Sequence, residues 1–109
     1  MLFISVEDFL TQAKAIPRIP REEEKALAVK KAVGDSAARD ALIQGYFYLV
    51  AAHVRRAPQQ IRTLRTVYAC IAALEKAVDR FNFLQDSETF AHHLGWVMRQ
   101  CITRCIVDR

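Results

Sequence analysis

Apolar residues recur at three- and four-residue steps through almost the whole chain, and this spacing is what most restricts the fold. It predicts helices and leaves little room for strands. The breaks are few. Three Gly and three Pro among 109 residues do not support a loop-rich, disordered or all-β chain. The first periodic stretch, Val6 to Ala15, carries Phe9, Leu10 and Ala13 on one side and stops at Ile16-Pro17 and Ile19-Pro20. Pro20 can open a second helix, because the N–H it lacks is not needed in a first turn. Glu22, Glu23 and Glu24 then suit the helix start, Lys30 and Lys31 suit its far end, and Gly34 closes it.

Asp35 or Ser36 can cap a third helix, expected to run unbroken from Ala37 to Arg56 with Leu42, Ile43, Tyr46, Leu49, Val50 and Val54 inward. Ala57-Pro58 ends it, since a residue before proline avoids the helical region. A fourth helix is expected from Ile61 to Phe81, on the stripe Leu64, Val67, Tyr68, Ile71, Leu74, Val78 and Phe81. A polar turn from Asn82 to Ser87 leads into a fifth helix, Ser87 to Val107. The expected fold is therefore all-α, a compact bundle of four to five helices, with residues 1–19 as a helical arm and 20–109 as the main domain. Half of the residues are apolar, enough for one modest core in a chain of this length.

The last helix is the informative one. At about 100° per residue, Phe90, Leu94, Val97, Met98, Cys101, Ile102 and Cys105 share one arc of roughly 140°. His92, His93, Trp96, Arg99, Gln100 and Thr103 share another of roughly 120°. A seam that can join a core thus runs beside a stripe of stacking, cationic and amide side chains. Rings stack on unpaired bases, glutamine pairs with a base edge, and arginine reaches phosphate or guanine. Trp at helical spacing is also ordinary packing, and adjacent histidines on a surface helix are commonly solvated, so spacing alone leaves both readings open. The formal charge of +4 is compatible with a polyanionic partner without identifying one.

Other chemistries find little support. Cys101 and Cys105 lie one helical turn apart, but His92 and His93 lie well round the helix, so a tetrahedral metal site is awkward and small core residues are the expectation, as for Cys70. No catalytic triad, thiol–imidazole pair or phosphate-cradling glycine loop is apparent, so neither catalysis nor a cofactor is expected. No apolar stretch reaches the ~20 residues of a membrane span. The N-terminus lacks a signal peptide's basic lead and apolar run, and an odd number of cysteines suits a reduced, cytoplasmic setting.

In the last helix, Phe90-Ala-His-His-Leu-Gly-Trp96-Val-Met-Arg99-Gln100-Cys-Ile102-Thr103-Arg104 resembles the sigma-70 signature Phe-Ser-Thr-Tyr-Ala-x-Trp-Trp-Ile-Arg-Gln-x-Ile-x-Arg. Leu74-Glu-Lys76-Ala-Val-Asp79-Arg80-Phe81 is similar to the family's Leu-Met-Lys-Ala-Val-Asp-Lys-Phe. Gly34-Asp35 through Ile43, and Ile19-Pro20-Arg21 through Glu24, match further family segments in the same order. Nearly the whole chain is covered, residues 1–19 resembling region 1.2 and 20–109 resembling region 2 of bacterial RNA polymerase sigma factors. The resemblance implies a helical domain that binds the promoter minus-ten element and holds the non-template strand as it separates. It implies DNA contact at Phe90, His92, His93, Trp96, Arg99, Gln100, Thr103 and Arg104. It implies contact with the polymerase clamp helices at Arg65, Tyr68, Ala69, Ala72 and Glu75.

The departures sit at those same places. Val97 stands for the family's second tryptophan and His93 for its stacking tyrosine, both weaker platforms. Arg65-Thr66-Val67-Tyr68-Ala69-Cys70 stands where the family has Asp-Leu-Ile-Gln-Glu-Gly. Charge reversal at an interface penalises the original partner. The chain ends just beyond the DNA-melting helix, which leaves two expectations: a fragment of a longer sigma factor, or a subunit whose partner supplies the rest. A sigma-like module that binds polymerase, an anti-sigma factor or a second sigma subunit without touching DNA is the alternative.

Overall fold

The computed structural model describes residues 2–85 and 87–108. Among them the fold is all-α: α1 (Val6–Ala15), α2 (Arg21–Ala32), α3 (Ser36–Gly45), α4 (Phe47–Arg56), α5 (Leu64–Arg80) and α6 (Phe90–Asp108), with a short 3-10 turn at Gln59–Ile61. Local chemistry sets the helix starts. Ser5 Oγ accepts the Asp8 N–H at 3.0 Å, Asp35 Oδ1 accepts that of Ala38 at 3.1 Å, and Thr63 Oγ1 accepts that of Thr66 at 3.3 Å. Each oxygen satisfies a donor that the first turn leaves without an intrahelical partner. Gly34, at φ 93°, supplies the left-handed residue that ends α2.

Two boundaries differ from the periodicity. The expected helix from Ala37 to Arg56 is divided at Tyr46, whose N–H turns back to Ile43 O at 3.1 Å in a tighter turn. Another segment packs onto the chain at this point. Ile19 lies so close to Gly45 that a Cβ there would stand 2.1 Å from its Cδ1, so only glycine admits the contact. The Tyr46 side chain then leaves the α3 direction, its hydroxyl bonded to Glu24 and its ring stacked on Tyr48. The final helix begins at Phe90 rather than Ser87, because Thr89 caps it: its Oγ1 accepts the His92 N–H at 3.2 Å. The fourth helix likewise begins at Leu64, after the 3-10 turn.

α4 sits at the centre, its Phe47, Val50, Ala51 and Val54 buried against α1, α5 and α6. The expected arm is part of this core. Phe3 and Phe9 are buried in it, their rings 5.0 Å apart and edge-on, and Phe9 lies 5.8 Å from Phe47. A second aromatic cluster closes the opposite side, where Phe90 meets Tyr46 at 4.8 Å, Phe83 at 4.9 Å and Phe81 at 5.2 Å. Each such buried ring contributes roughly 1.5–3 kcal/mol by leaving water. α6 returns along α5 in the opposite direction, since Phe81 meets Phe90 while Cys70 meets Cys101. That antiparallel pair positions the candidate site.

Candidate nucleic-acid interface

α6 divides much as its spacing predicts. Leu94 and Met98 are sealed in the core, while Val97, Cys101, Ile102 and Cys105 are half-buried. Phe90 corrects the expected contact set. Its ring is 2% exposed and lies at the middle of the second aromatic cluster, so it supports the start of α6 and has no face for a base. The residue belongs to the apolar arc, and burial takes precedence over its place in the signature.

The remaining residues reach the surface in two groups. Trp96, Arg99, Gln100, Thr103 and Arg104 line a shallow outer ridge that continues to Val107 and Asp108. Trp96 is 57% exposed, unusual for the largest apolar side chain, and the Arg99 guanidinium lies 6.0 Å from its ring centroid. An exposed indole beside a cation is a ready platform for a flat, electron-rich ring. His93, Gln100 and Arg104 also line a cavity of about 720 Å³ between α5 and α6. Gln100 and Arg104 therefore stand on the crest between groove and ridge.

Across that cavity stand Lys76 and Arg80, which sequence reasoning left out of the site. Their four-residue spacing on α5 was a visible signal, but only the antiparallel return of α6 shows that they share a groove with His93, Gln100 and Arg104. Glu88 is the acidic member of the lining, with His93 Nδ1 at 3.6 Å and His92 Nε2 at 3.9 Å from its carboxylate oxygens. His93 also lies over Phe81, centroids 5.2 Å apart, so one ring face is occupied. His92 points outward and is exposed. The arrangement can hold a polyanionic backbone between cations, receive a ring on Trp96, and offer Gln100 and Thr103 to a polar edge.

The expected polymerase contacts lie on α5. Arg65 and Ala72 are exposed, whereas Ala69 and Glu75 are half-buried. Tyr68 is half-buried and already engaged, since its hydroxyl accepts the Phe3 N–H at 2.7 Å. Thr66, Val67 and Cys70 between them are buried. No group of three or more ligating side chains placed to hold a metal occurs among the described residues, and no described helix is long and apolar enough to cross a membrane.

No protein-family model matches this chain, and no solved structure does either. A match exists among characterised proteins. The chain is similar to RNA polymerase sigma factor SigA of Clostridium acetobutylicum, 30% identical over 111 aligned positions. The alignment takes in 97% of this chain and 29% of that protein, so the likeness is to a segment of a sigma factor.

Proposed function

We propose that the chain is the strand-binding part of a sigma-like RNA polymerase subunit, holding unpaired promoter DNA at the minus-ten element during transcription initiation. One observation carries this reading: an exposed Trp96 flanked on the same helix by Arg99, Gln100, Thr103 and Arg104, with Lys76 and Arg80 of α5 lining the adjoining groove that Gln100 and Arg104 also border. Trp96 stacks on a base, Gln100 and Thr103 meet base edges, and the four cations hold phosphates. Extruding a base costs a few kcal/mol of pairing and stacking, which replacement stacking at ~1–3 kcal/mol per base can offset. The chain acts in the cytoplasm by binding and performs no catalysis. Its polymerase contact runs along Arg65, Ala69, Ala72 and Glu75 of α5, against clamp helices altered to accept Arg65.

Trp96 is the single tryptophan, so its fluorescence reports occupancy directly. The test titrates the protein with single-stranded non-template minus-ten oligonucleotide and with a scrambled one, at low and moderate salt. Quenching with a preference for the minus-ten sequence is expected, the preference falling in Gln100→Ala. Trp96→Ala, followed by anisotropy of a labelled oligonucleotide, should weaken binding by about 1–3 kcal/mol. Equal, purely salt-governed binding of both oligonucleotides overturns the reading. Binding of polymerase clamp helices or an anti-sigma factor with no DNA preference would assign the chain to protein interaction instead.

A further inference from the structure

The chain's three cysteines, Cys70 of α5 and Cys101 and Cys105 of α6, come together on one side of the α5–α6 contact. Cys70 is sealed in the core, and its sulfur lies 3.6 Å from that of Cys101. Cys101 is half-buried and lines the 720 Å³ cavity together with Cys105 and Arg104. One thiol of the close pair therefore meets the groove while the other waits behind it. We propose that Cys70 and Cys101 form a redox pair, in which a hydroperoxide entering the groove oxidises Cys101 and Cys70 then closes a disulfide joining α5 to α6.

The surroundings favour this division of labour. The Cys101 thiol is drawn down to about 7, because the Cys70 and Cys105 thiols can donate to its thiolate and Arg104 adds positive charge, against the opposing effect of burial. Cys70 is held in its thiol form by the proton it shares with Cys101 and by its burial. The thiolate is the nucleophile, so Cys101 is the sulfur that attacks. With hydrogen peroxide, an S–O bond forms as the O–O bond breaks, and the released hydroxide takes up a proton to leave as water. Cys70 then attacks the sulfenic sulfur; the S–S bond forms, the S–O bond breaks, and a second water leaves with the Cys70 proton. Two thiols supply two electrons and two protons, and the peroxide becomes two waters.

Geometry selects the resolving partner. A disulfide needs sulfurs about 2.05 Å apart and Cβ atoms about 3.5–4.5 Å apart. Side-chain rotation with a small approach of the two helices can close the 3.6 Å gap to Cys70. Cys105 lies one turn from Cys101 on the same helix, where Cβ atoms stand about 5–6 Å apart, so bridging that pair would distort α6.

Trypsin separates the candidates, since Arg65, Lys76, Arg99 and Arg104 place each cysteine on its own peptide. The purified chain is exposed to stoichiometric hydrogen peroxide, alkylated, and digested without reductant. Expected is a reducible cross-link between peptides 66–76 and 100–104, with Cys105 alkylated and free thiols falling from three to one. The link should persist in Cys105→Ser, while Cys70→Ser should leave a dimedone-reactive sulfenic acid on Cys101. A Cys101–Cys105 link, cross-links only between chains, or three alkylated thiols after peroxide would each overturn the proposal.

Discussion

The outer stripe of α6 and the exposed edge of α5 resemble the same family, yet the molecule treats them differently. On α6, Trp96, Arg99, Gln100 and Thr103 stand on the surface, while Leu94 and Met98 on the opposite arc anchor the helix. On α5, Tyr68 is held by Phe3, and Thr66, Val67 and Cys70 are buried, so in the window from Arg65 to Ala72 only those two end residues are fully open. A stripe separated from its core seam is free to meet a partner. A window interleaved with core positions is constrained by its own fold first. The α6 stripe is therefore where substitution can change binding while sparing the fold, and α5 is where the two are entangled.

The sharpest way to break that contrast is to compare Leu94 with Trp96. Leu94→Ala and Leu74→Ala, both at fully buried sites, should each cost about 2–5 kcal/mol of unfolding free energy in urea titrations. Trp96→Ala should change stability by no more than about 0.5 kcal/mol. Equal destabilisation by Trp96→Ala would mean that the indole belongs to the fold, and the two regions would no longer differ. Next comes the cationic wall of the groove. Replacing Lys76 and Arg80 together by alanine should lower the salt slope of oligonucleotide binding by about one for each phosphate no longer neutralised, with sequence preference retained. Disappearance of the preference would make α5 a reader of bases.

Smaller effects test α5 itself. Tyr68→Phe removes the acceptor for the Phe3 N–H and should cost about 0.5–1.5 kcal/mol, seen as a lower denaturation midpoint. A neutral result would release α5 from the N-terminal segment and make its edge as free as that of α6. The least effect is expected at the far end of α5, where Arg39 grips Asp79 through two hydrogen bonds of 2.6 and 3.0 Å. This pair is substantially exposed, so Asp79→Asn should cost about 0.2–1 kcal/mol. The Arg39 guanidinium holds the Asp79 carboxyl below its ordinary value. Its contribution is therefore present above about pH 4 and lost as pH falls further, a slope that Asp79→Asn should flatten in acid melts.

Much of this architecture is legible in the chain because helices are local objects. The apolar step, the capping Asp35 and the helix-ending Gly34 act through neighbours within a turn, so α1, α2 and the end of α4 stand where periodicity puts them. The two arcs of α6 follow from residue spacing for the same reason. What periodicity could not reveal depends on contacts between distant segments. Gly45 reads as an ordinary helical residue until Ile19 is packed upon it and Tyr46 turns aside. Residues 1–19 read as an arm until Phe3 and Phe9 meet Phe47. Phe90 reads as a DNA contact because its signature is a string, whereas its ring belongs to the aromatic cluster around Phe81 and Tyr46.

The sequence by itself therefore determined most of the helices and the character of their faces, since hydrogen bonding and side-chain direction in a helix are set within four residues. Only the tertiary structure decided which faces became surface. It put Lys76 and Arg80 in one groove with Gln100, tied Tyr68 to Phe3, and brought Cys70 against Cys101, because burial is settled by what packs across from a residue.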